Sequence, residues 1–188
     1  MHPSETDVIV NTTLDWLKNC VIGLSLCPFA NKPFLDNAIR VTVYLKQDDG
    51  QILNALKAEI EYLNINKPSD IETSLLVIPF RFNDFYDFND FVYTANEWLV
   101  KNDWEGVFQL ASFHPKYQFS ETSIEDKENF TNRSPYPILH LIREESLSKV
   151  IDAYPNSDDI PIRNIATMNT LSDQQIREYF FWLNEDKK

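Results

Sequence analysis

QLASFHPKYQFSETSIEDKENFTNRSPYPILHLIRE, residues 109–144, decides how this chain folds and where its chemistry would sit. Residues 107–113 read as a strand started by Gly106, and Ile138–Arg143 as another. Between them, residues 115–135 are too polar for a core element. Two strands joined without a helix pair most readily antiparallel. The turn Asn132-Arg133-Ser134-Pro135-Tyr136-Pro137 fits neither helix nor strand, since its prolines lack a backbone donor. Connections this long are commonly functional or contain a short helix. The stretch also holds two of the three histidines of the chain. It matches no reaction motif, so the pattern gives a location for chemistry and no reaction.

Outward from it, helices and strands alternate. Ser4-Glu5-Thr6-Asp7 is a capping box, and Val10, Leu14, Leu17, Val21 and Leu24 recur at helical spacing, so a helix is expected over residues 5–24. Pro28 and Pro33 then impose an extended loop. Residues 38–46 alternate as a strand. Asp48-Asp49 caps a helix with Ile52, Leu56, Ile60 and Leu63 as its stripe. Residues 73–79 form a short apolar run, as in a strand covered on both faces. A loop of aromatics and acids follows from Phe80 to Asp87, then a helix using Phe91, Ala95, Trp98 and Leu99. After residue 143, Glu145-Ser146 opens a helix with an inner face of Leu147, Val150, Ile151 and Tyr154. A short helix over 160–169 and a C-terminal one over 172–184, opened by a second capping box, complete a single domain. The fold class is α/β (α+β), in the order α-β-α-β-α-β-loop-β-α-α. Helices pack in two or three layers on a mixed four-stranded sheet, the first three strands parallel where they adjoin.

The chain has 188 residues, 43% hydrophobic and 13% aromatic, enough for a core without disulfide or metal staples. A net charge of −12 argues against a general nucleic-acid or anionic-membrane surface. The amino terminus lacks a basic region followed by an apolar run, and no apolar run reaches membrane-spanning length, so a cytoplasmic protein with reduced thiols is expected. Cys20 and Cys27, if both helical, lie about 10 Å apart at Cα, too far for a disulfide. Three glycines, Gly23, Gly50 and Gly106, cannot build a P-loop or dinucleotide fingerprint.

LCPFA (26–30), DFYDFNDF (84–91), QLASFHP (109–115), TNRSPYPILHLIRE (131–144) and IPIRNIATM (160–168) resemble a bacterial family, domain of unknown function 1415. The resemblance covers nearly the whole chain. It implies no activity and lends no catalytic residue.

Ligands of open α/β sheets gather beyond the carboxyl ends of the parallel strands. On the expected topology that edge carries Asp48, Arg81 and His114, and an antiparallel last strand returns Asn132, Arg133 and Tyr136 to His114. His114 is then a general acid or base, with Arg133 and Asn132 as a forked clamp for a carboxylate or phosphate, and Lys116 beside them. Alternatively, His114 is a strand-end histidine bonded to loop backbone, and Arg133 a staple on loop carbonyls. His140 shares a face with Ile138 and Ile142. It is either a core residue with one hydrogen bond or a second catalytic group, able to reach a deep pocket but not an open rim. Arg143 is expected to pair with Glu144 or Glu145. Cys27 is a buried structural thiol or a nucleophile, and zinc held by His114, His140, Cys27 and a carboxylate is chemically sensible without any spacing signature. These readings leave enzyme status open. An enzyme acting on a small anionic molecule leads. Against it stand a protein-interaction module displaying Phe82, Phe85, Tyr86 and Phe88, and a metal-binding protein.

Overall fold

A computed structural model describes residues 3–183, so the outermost ends, including the tail expected after 184, lie outside the described residues. The elements in order are α1 (Glu5–Trp16), α2 (Asn31–Leu35), β1 (Ile39–Val43), α3 (Asp49–Ile65), β2 (Thr73–Val77) and α4 (Phe85–Lys101). Then come β3 (Phe108–Phe113), β4 (Ile138–Arg143), α5 (Glu144–Ala153), α6 (Ile160–Thr170) and α7 (Asp173–Tyr179). Among the described residues, no helix is long and apolar enough to cross a membrane.

The sheet order is β1-β2-β4-β3, with β1 parallel to β2 and β4 antiparallel to both its neighbours. Strands β1, β2 and β3 therefore share one direction. The returning strand enters between β2 and β3, so β3 occupies an edge. The five residues of β2 are all buried: Leu75, Leu76 and Val77 are apolar, and the hydroxyls of Thr73 and Ser74 are satisfied by Leu141 O and the Glu59 carboxylate. Alternation sends Leu76, Leu139 and Leu141 to one face, where Ile52, Leu56, Ile60 and Leu63 of α3 and Phe88, Phe91, Ala95 and Leu99 of α4 cover them. On the other face Leu75, Val77, Ile138 and Phe113 meet Trp16, Leu17 and Val21, with Met168 and Phe180 beyond. The architecture is a three-layer α/β sandwich.

Ser4 and Ser172 build both expected capping boxes. The first helix continues past Trp16 as a π-helical turn, Leu17–Ile22, with Gly23 N–H bonded to Lys18 O at 3.0 Å. The loop after it is not fully extended, because Pro33 sits in the first turn of α2, where no amide donor is needed. α4 begins at Phe85, earlier than its apolar stripe suggests, because Asp84 accepts from the amides of Tyr86 and Asp87. The polar excursion contains a 3-10 helix, Lys127–Asn132.

Candidate functional site

The chain does return as expected: His114 N–H bonds Asn132 O at 3.2 Å. The side chains do not form an open site. The His114 ring is 1% exposed, stacked on Phe88 and tilted against Phe85. Its Nε2 donates to Phe82 O at 2.8 Å, and its Nδ1 accepts from Lys116 N–H at 3.0 Å. Both nitrogens are spent on backbone, one of them steadying a carbonyl at Phe82, whose φ is +65°. Burial, the larger influence, holds the His114 pKa below its ordinary value, against the opposing Phe82 carbonyl. With both ring nitrogens held by backbone, the geometry favours the structural alternative for His114.

Arg133 is likewise a staple. Its guanidinium donates to Tyr117 O and Ile124 O and lies 4.2 Å from the Phe130 ring centre. Burial lowers its pKa to about 10, which still leaves it charged at neutral pH. Asn132 bonds the Ser112 carbonyl and the Thr131 hydroxyl, so its side chain, like that of Arg133, is turned to its own loop. Lys116 reaches Asn83 O, Arg81 pairs with Asp49 and stacks on Phe82, and Tyr136 packs into the core on the opposite face of the sheet from α3 and α4. Arg143 bonds the carbonyls of Leu63, Asn66 and Ile71 at the end of α3, rather than an acidic neighbour. Phe82 and Phe88 are fully buried and Phe85 half-buried, leaving Tyr86 as the exposed ring of the expected interaction patch.

The concavity lies elsewhere. A cavity of about 620 Å³ sits over the face of the sheet toward the amino ends of β1 and β2, not beyond their carboxyl ends. Its floor follows the cross-strand rows Ile39–Thr73 and Leu75–His140–Ala111. Trp16, Leu17 and Val21 close one end, residues 27–33 form the roof, and Leu147 and Val150 of α5 form the remaining wall. α5 is amphipathic, yet none of its residues is buried, because its apolar stripe faces this space. The lining is mainly apolar, and the volume falls in the ordinary range of small-molecule sites.

His140 is the titratable group in the cavity floor. Its Nε2 lies 2.7 Å from Thr73 Oγ1, and that hydroxyl donates to Leu141 O. With the Thr73 proton committed, Nε2 must carry the ring hydrogen, and Nδ1 keeps its lone pair. Burial lowers the His140 pKa to about 4, so the imidazole is uncharged at neutral pH. Cys27, in the roof, is a free thiol whose pKa is raised by burial, with the amides of Phe29 and Ala30 opposing more weakly. Cys20 is buried and donates to Tyr179 O.

The two expected catalytic histidines do not meet, and among the described residues no group of three His, Cys, Asp or Glu side chains is placed to hold a metal ion. The proposed zinc set is thereby corrected. The sequence reading singled out Cys27 but missed Thr73 and the rest of the roof at residues 28–33. The unused stripe of α5 was the signal that could have found them.

No curated protein and no solved structure matches the chain. A family model matches residues 8–178, which include β1–β4, the cavity floor and the roof. On that span the chain belongs to the family described as protein of unknown function (DUF1415).

Proposed function

We propose that this protein binds a small, largely apolar molecule in the cavity over the sheet, and that His140 hydrogen-bonds the molecule's polar group. One observation carries the reading: an uncharged imidazole, held in a single tautomer by Thr73, lies in the floor of an apolar chamber of about 620 Å³. A half-buried imidazole lining the cavity, with bonding capacity left at Nδ1, favours a ligand that completes it. The chamber supplies apolar area, and the histidine supplies orientation.

A pKa near 4 makes His140 a poor proton acceptor at rest. An anionic ligand would raise it toward neutrality, since a nearby negative charge favours the imidazolium. Acid–base turnover of a small anion at Nδ1 is therefore the second reading, and it needs the same cavity.

Titration with the neutral fluorophore 1-aminoanthracene tests the site. Saturable binding of one molecule per chain is expected. Ala111→Phe should weaken it about tenfold by filling the floor, with the fold retained because the new ring enters existing space. Wild-type affinity in a folded Ala111→Phe variant would place binding elsewhere and end this reading.

A further inference from the structure

Beyond Cys27 and Pro28, which line both spaces, lies a second cavity of about 510 Å³. Its polar lining includes Ser25, Asn31, Tyr154, Arg163, Asn164 and Thr167. Among the described residues that line it there is no carboxylate, although the chain carries a net charge of −12. Arg163 is the charged side chain there. Its Nη1 donates to the Tyr154 hydroxyl at 3.0 Å, and its guanidinium lies 5.4 Å from the Tyr154 ring centre. One bond of this kind uses one of five N–H donors. Arg40, Arg81, Lys32 and Lys149 each hold a carboxylate, whereas no ion pair among the described residues involves Arg163.

The two cavities adjoin: Cys27 and Pro28 line both, and Phe29 of the first meets Tyr154 of the second edge-on, at 5.5 Å between ring centres. Tyr154 immediately follows α5, whose Leu147 and Val150 face the apolar chamber. An apolar space and a cationic, hydroxyl- and amide-lined space thus lie end to end along one helix and one loop.

We infer that the ligand is an amphipathic anion whose apolar body fills the chamber, where a polar substituent of that body meets His140, and whose carboxylate or phosphate head lies at Arg163. The inference rests on the small-molecule reading above and adds the charge and position of the head group. A planar guanidinium suits either anion, because its parallel donors match two oxygens. Ser25, Asn31 and Thr167 add neutral donors around it.

The test displaces 1-aminoanthracene from the full chain with decanoate, decyl phosphate and 1-decanol, for wild type, Arg163→Gln and Arg163→Lys. Both anions should compete about tenfold more tightly than decanol, the gain of one charge-assisted contact. Arg163→Gln should abolish that preference and Arg163→Lys keep most of it, while decanol affinity moves less than about twofold in either variant. The more potent anion identifies the head group. Equal competition by all three ligands in wild type would overturn the head-group assignment and leave the chamber standing. So would an anion preference that survives Arg163→Gln. Failure of every ligand and of the fluorophore would overturn the chamber reading and this inference together.

Discussion

His114 and His140 illustrate how one residue's parity decides its chemistry. His140 pairs with Ala111 across β3 and β4, and His114 comes three residues after Ala111. Successive side chains of a strand point to opposite faces, so an odd spacing sends the two rings to opposite sides of the sheet. His114 joins the α4 layer against Phe88, and His140 enters the chamber. Removing the His114 ring leaves Phe82 O and Lys116 N–H without partners and opens a void between two phenylalanines. His114→Ala should therefore lose about 3 kcal/mol in urea unfolding. A variant with unchanged stability would show that the ring staples nothing. His140 makes a different prediction. Its folded pKa, about 4, lies below the ordinary 6.5, so the unfolded chain binds the extra proton between those values. The contribution is complete above pH 6.5 and disappears as pH falls to about 4, a loss of about 3 kcal/mol. His140→Gln should lack this component, so its unfolding free energy should fall less steeply than wild type's across that window. Parallel profiles for the two proteins would mean that the imidazole titrates as in water.

At the scale of elements, the end of the π-helical extension of α1, at Gly23, is sensitive to one added carbon. The wider π turn brings Gly23 close enough to the preceding turn that a Cβ would run into the Asn19 carbonyl oxygen. Gly23→Ala must push that turn apart, disturbing Cys20 and Val21 in the core and the approach to the cavity roof. A loss of about 2 kcal/mol is expected, typical of overpacking against backbone. A thermal midpoint equal to wild type's would show that the turn relaxes freely. α5 is the opposite case. Its apolar stripe was legible in the spacing of Leu147, Val150 and Ile151, and it predicted a buried helix. Instead Val150 remains 39% exposed, because the stripe lines a cavity rather than a core. Periodicity reports which side of a helix is apolar, and it is silent on whether protein or ligand covers that side.

At the scale of the molecule, the insertion of β4 between β2 and β3 generates the site. It carries His140 into the centre of the sheet, beside Leu75 and Ala111, where burial holds it neutral. Adjacent pairing of β2 with β3 would leave the same histidine at an edge. The α1 and π-helical layer covers one end of that face, while α2, its preceding loop and α5 roof the rest without filling it. The polar excursion between β3 and β4 folds back on itself through Arg133 and Asn129, so its arginine serves the loop. Residue types alone made this loop resemble an active site. Hydrogen bonds to its own carbonyls account for the same residues.

Local periodicity, caps and turns by themselves determined the four strands, the helices α3 and α4 between them and the reversed direction of the last strand, though not the short α2, because each of these depends on residues close in the chain. The place of that strand in the sheet, the sealing of His114, the stapling of Arg133 and the unfilled volume above His140 were decided only by the tertiary structure. Those outcomes depend on which distant side chains and carbonyls arrive at one point, and no local pattern encodes that meeting.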